Sequence, residues 1–195
     1  MATGNDAAFG CAVWGELLRA RLYAVQTAPT IAIYHQQIVK HGATSVATRY
    51  GNLPIIEDGS DPAGDAGLLG ATVAVFDENM FPVKYIAASE AGDGTVAGYV
   101  MVADHPDQLF VMQEDSDGNA ITATEMGQNA DYVTGTGSST TGLAAQEIDS
   151  DTAGTAAALN LKLHFAHPDD TATENYCRYI VTINEHYYGD TIAGL

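Results

Sequence analysis

The chain has 195 residues, with 25 acidic side chains against seven Lys and Arg, for a formal net charge of −18. Such a surface repels phosphate and anionic lipid, which argues against nucleic acid and membrane surfaces as partners of its acidic part. A hydrophobic content of 46% with 16% charged residues excludes the disordered class, and no apolar run reaches the roughly 18 residues needed to span a bilayer.

The charge is unevenly divided. Residues 1–56 hold two acids against Arg19, Arg21, Lys40 and Arg49, a net +2, whereas residues 57–195 hold 23 acids against three cations, a net −20. This break predicts two parts, an N-terminal attaching arm over 1–56 and an acidic body over 57–195. The first residues lack the basic and apolar regions of a secretory signal, so the protein is expected to work without one of its own. Cys11 and Cys177 stand far apart, in no metal or redox spacing, and are expected to be two buried, idle thiols.

In chain order, Trp14, Leu17, Leu18, Leu22 and Val25 recur at helical spacing, so an amphipathic helix is expected after Asp6 and before Pro29. Residues 31–34 and 37–39 read as short strands. The acidic Gly/Pro run 57–67 marks the expected boundary as an exposed loop. Residues 71–76 and 81–88 flank a short reversal at 77–80. Strands are expected at 96–102 and 109–113, with Asp117-Gly118 as a tight hairpin turn. The clearest strands are 157–165 and 176–183, where Leu159, Leu161, Leu163 and Phe165, then Cys177, Tyr179, Val181 and Ile183, alternate with other residues. That period of two describes a sheet with one dry and one wetter face. The pattern predicts a mainly β protein, an antiparallel β-barrel or jelly-roll-like β-sandwich with an N-terminal arm or short helix.

The constellations that might carry chemistry have simpler explanations. Gly135–Gly142 is followed by Leu143 where a phosphate loop needs Lys, so it reads as a surface loop. Asp115, Asp117 and Asn119 resemble the start of a calcium loop, but Ala120 and Met126 stand where that loop needs Gly and Glu. His164 and His167 fall on opposite faces of a strand and would not share a metal. His105-Pro106-Asp107 and His167-Pro168-Asp169 read as turns in which Asp bonds the backbone. No catalytic site, cofactor or metal is expected. The residues expected to contact a partner are Trp14, Arg19, Arg21, Lys40 and Arg49.

The stretch 98–115, with Asp107-Gln108-Leu109-Phe110 and Gln113-Glu114-Asp115, is followed by Asn129-Ala130-Asp131 and by Gly135–Gly142. Gln146–Ser150 and Tyr179–His186 complete the series. This order of short motifs, over roughly residues 70–190, resembles the head decoration (cement) proteins of tailed bacteriophages. The resemblance implies a non-enzymatic protein, made in the host cytoplasm and carried on the outer capsid surface of the virion. It also implies a β-barrel or β-sandwich body, a homotrimer, and the major capsid protein as partner. On that reading the +2 arm grips an acidic capsid and the −20 body faces water. Two other readings compete: another virion part, such as a head-fibre base or adsorption module, and a hydrolytic β-domain using two of the many carboxylates.

Overall fold

The computed structural model describes residues 6–59, 67–117, 119–171 and 175–189. Fourteen strands and one short 3-10 turn make up its regular structure. β1 (Ala12–Val13), β2 (Ala20–Gln26), β3 (Ile33–Tyr34), β4 (Ile38–Thr48) and β5 (Gly51–Asp58) come first. β6 (Leu68–Asp77), β7 (Tyr85–Ile86), β8 (Val96–Ala103) and β9 (Phe110–Gln113) follow. The last are β10 (Asn129–Ala130), β11 (Tyr132–Val133), β12 (Glu147–Ile148), β13 (Leu161–Ala166) and β14 (Arg178–Ile183), with the 3-10 turn at Ser150–Thr152.

Five strands close a barrel in the order β2-β5-β4-β6-β8, and five more form an antiparallel sheet in the order β1-β9-β14-β13-β10. Two-stranded ribbons, β3-β7 and β11-β12, complete the fold. The chain is therefore mainly β, as its alternating patterns predict. The barrel is not wholly antiparallel: β2 meets β5 in parallel through Ala24–Ile55 and Val25–Ile56, and this short contact closes it.

Two cores follow from the alternation. Tyr23, Val25, Val39, Ile56, Leu69, Val75, Val100 and Val102 pack together from all five barrel strands. A second cluster joins barrel residues Ile38, Leu68 and Ala71 to Phe110, Met112, Leu161, Leu163, Tyr179 and Val181 of the sheet. Cys11 and Cys177 are free thiols buried in this second cluster, as expected. The register of β13 on β14 shifts between Leu163 and Phe165, and Phe165 is exposed instead of continuing the dry face.

The helix expected over 14–25 is absent. Gly15 has a left-handed φ of +73°, and residues 20–26 form β2, which pairs with β8 from Ala20–Ala103 to Gln26–Val96. Leu, Tyr and Val suit a strand as well as a helix, and the long ladder with β8 overrides the local stripe. Residues 20–58 supply three of the five barrel strands, so the charge break at residue 56 falls inside β5. Of the acidic run 57–67, residues 60–66 lie outside the described residues.

The reversal at 77–80 forms as expected, because Asp77 Oδ1 accepts from the amides of Asn79 and Phe81, both at 2.8 Å. Pro82 limits the return ladder to a single bridge with Phe76, and β7 pairs with β3 instead. β9 takes β1 and β14 as neighbours and not the next strand, β10, while the turn expected at Asp117-Gly118 includes Gly118, which lies outside the described residues. Gly135–Gly142 is largely exposed, as a surface loop should be.

Candidate partner-contact face

In β2 the period of two places Arg21, Tyr23 and Val25 on one side of the chain, and Arg19, just before the strand, continues that row. Tyr23 and Val25 enter the barrel core, and the two arginines continue their row at its end. Asp104, the residue after β8, meets that row with a side chain that is 0% exposed. Its Oδ1 accepts from Arg19 Nε at 2.7 Å, and its Oδ2 accepts from Tyr23 Oη at 2.6 Å and from Arg21 Nε. Arg19 also donates to the Asp104 carbonyl. Burial alone would push the Asp104 carboxyl up, but hydrogen bonds from Tyr23, Arg19 and Arg21, with the charge of Arg21, outweigh it and hold the group below its ordinary range. Asp104 thus stays ionised and fixes both guanidiniums by their Nε atoms.

Aromatic rings extend the arrangement outward. The Arg21 guanidinium lies 4.5 Å from the centre of the Tyr188 ring, and that of Arg19 lies 5.5 Å from it. Tyr188 packs edge-on to Tyr187 at 4.9 Å, and Tyr187 stacks on His41 at 4.4 Å. Next to Arg19, Leu17 and Leu18 are 45% and 49% exposed. Gln108 holds their loop, accepting from the Leu18 amide at 2.9 Å and donating to the Glu16 carbonyl at 3.1 Å. The result is an exposed face of Leu, Tyr and Arg over a buried carboxylate. Tyr and Arg dominate the strongly contributing positions of protein interfaces, because they offer rigid contact area with a polar end.

The expected contact residues separate. Arg19 and Arg21 come together here, one just before β2 and one within it, instead of on the expected helix. Trp14 packs edge-on to His167 at 4.7 Å, and its amide donates to the Leu109 carbonyl. Lys40 stands in β4 opposite Glu57. Arg49 lies in the β4–β5 turn and reaches the 77–80 reversal, donating to the Glu78 carbonyl at 2.8 Å. Nothing in the sequence pattern marks Asp104, Tyr187 or Tyr188 as members of this face, nor Tyr23 beyond its spacing from the arginines. The spacing Arg19-Arg21-Tyr23 carried a signal for one strand face, whereas nothing in the sequence joined it to Asp104.

A second cluster gathers the calcium-like residues differently from their order in the chain. Carboxylate oxygens of Asp115, Asp117 and Asp149 lie within 4.8 Å of one another, and Ser150 Oγ donates to Asp115 at 3.0 Å and to Asp117 at 3.2 Å. Burial and the neighbouring Asp115 raise Asp149 above its ordinary value. Glu147, two residues before it, is pushed up to about 7 by burial and by the charges of Asp6 and Asp115. The turns expected at His105 and His167 form, closed by the Gln108 and Asp170 amides on the His105 and His167 carbonyls. The imidazole Nδ1, not the Asp carboxylate, accepts the turn amide, from Asp107 at 3.1 Å and from Asp169 at 3.2 Å. His186 does the same for the Tyr188 amide at 3.0 Å.

No protein-family model matches the chain, and no curated protein matches it. No helix among the described residues is long and apolar enough to cross a membrane.

Proposed function

We propose that the protein is a head decoration protein of a tailed bacteriophage, which binds the outside of the capsid and cements neighbouring major capsid subunits. The observation that carries this reading is the face built on Asp104. It offers exposed Leu17, Leu18, Tyr187 and Tyr188 with two half-exposed, pre-positioned arginines, on a chain whose net charge is −18. Such a face suits an apolar surface with acidic character, while the acidic remainder keeps crowded copies apart. The resemblance of residues 70–190 to decoration proteins supports the same reading and adds a homotrimer as the assembling unit. Many copies, each bridging subunits, stabilise a shell even where a single contact is weak. The role is structural and non-catalytic.

The test is decoration of bare heads. Added protein should saturate them at high copy number and raise the temperature at which they release DNA. The double variant Arg21→Ala/Tyr188→Ala, checked for unchanged folding, should leave most sites empty. Heads that melt identically with and without bound protein refute cementing. Full occupancy by the double variant refutes this face as the point of attachment.

A further inference from the structure

Beside the Asp104 face lies a cavity of about 570 Å³ between the outer side of β13–β14 and the turn after β8. Pro106, Leu109 and Ile183 give it apolar walls, and Lys162, His164 and Thr182 give it a polar one. His186 lines it too, with its ring centre 5.9 Å from that of Tyr188, so the cavity and the contact face adjoin.

Lys162 is unlike the other cations of the chain. Arg19, Arg21, Arg49, Lys84 and Arg178 each hold a carboxylate or carbonyl. Lys162 is half-buried in the cavity wall, and its ammonium makes no hydrogen bond or ion pair among the described residues. The Lys162 stem can lie along the apolar wall while its ammonium faces the cavity, where it is open to an acidic partner. Its neighbour His164 is kept neutral by burial and by the Lys162 charge, with Nε2 3.0 Å from Thr182 Oγ1. The acid at the rim, Asp107, is 87% exposed and sits 3.9 Å from His105 Nδ1.

We infer that this cavity is a carboxylate-binding subsite of the contact face, filled by an Asp or Glu side chain of the surface on which the protein docks. The carboxylate would meet Lys162 and accept from the Thr182 hydroxyl, which itself accepts from His164 Nε2–H, and its methylene stem would lie on Leu109 and Ile183. A polyanion is disfavoured because the whole chain repels it. A single carboxylate on an apolar surface avoids that penalty, since repulsion by distant charges is screened beyond about 8 Å at physiological salt while Lys162 acts at contact. The occupant rests on the decoration reading; the chemistry of the cavity does not.

Two measurements test it. In an NMR titration of the full chain with glutarate, the amides of Lys162, His164 and Thr182 should shift and saturate at millimolar concentration. Lys162→Met should abolish the shifts and Thr182→Val should weaken them. In head decoration, Lys162→Met should bind roughly tenfold more weakly or worse, as when one partner of an interfacial charge pair is removed. Absence of glutarate shifts, or shifts that survive in Lys162→Met, overturns the carboxylate site. Normal decoration by Lys162→Met overturns the side-chain occupant. Failure of the wild-type chain to decorate heads overturns the decoration reading, and the titration then judges the cavity by itself.

Discussion

Arg19 and Asp104 are 85 positions apart in the chain, yet their side chains meet at 2.7 Å at the end of the barrel. The Asp104 carboxylate is fully enclosed, while the Arg19 and Arg21 side chains remain 36% and 44% exposed. One buried acid therefore orders two surface cations. Asp104→Asn keeps the shape and removes the charge that aligns both guanidiniums. Breaking a buried pair costs about 3–5 kcal/mol; with the arginines half in water, about 2 kcal/mol is expected. Urea unfolding of the two proteins measures it, and an unchanged midpoint would refute a structural role for Asp104.

Glu147 predicts an opposite dependence on charge. Its carboxyl is raised from 4.5 to about 7 in the fold, so its contribution is fully present below pH 4.5 and lost as pH rises through about 7. Glu147→Gln should match the wild type in melting temperature below pH 4.5 and exceed it above pH 7. A constant difference across that range would mean that Glu147 ionises as freely as in the unfolded chain.

His186 acts in the reverse sense. Burial lowers it from 6.5 to about 4, and its Nδ1 must stay unprotonated to accept the Tyr188 amide. Its contribution is present above pH 6.5 and is lost as pH falls through about 4. His186→Asn should therefore lose less stability than the wild type between those values, read as melting temperature against pH.

Gly70 sets the approach of β6 to β8. A Cβ there would lie 1.8 Å from the Ala103 carbonyl oxygen, and φ is +145°, a region nearly closed to other residues. Gly70→Ala should cost about 3 kcal/mol or more by backbone strain and displaced pairing. Thermal melting by circular dichroism checks it.

Trp14, the single tryptophan, packs on His167 instead of standing free on an arm. Its fluorescence transition in urea should coincide with the loss of strand signal. An earlier fluorescence change would show that residue 14 leaves the sheet independently.

Much of the architecture was legible because a strand with one dry face writes its burial into the sequence at a period of two. Leu161 and Leu163, then Tyr179, Val181 and Ile183, are buried as that alternation requires. Residues 14–25 misled for a related reason: apolar residues on both faces of β2 and in the loop before it also fit a helical stripe. In the structure Leu17 and Leu18 are exposed, while Tyr23, Ala24 and Val25 are all buried, between a barrel interior and an outer cluster.

The sequence by itself determined the β class, the alternating core faces, the two buried thiols and the polarity of charge along the chain. These are local quantities, fixed by composition and spacing. Only the tertiary structure decided that β2 closes a barrel with β5 and β8, that Arg19 and Arg21 share Asp104 beneath Tyr188, and that Asp149 joins Asp115 and Asp117. Each of those depends on strand pairing across tens of residues. Pairing is chosen by the fit of whole faces and by which buried charges find partners, and neither has a signature within a short window of sequence.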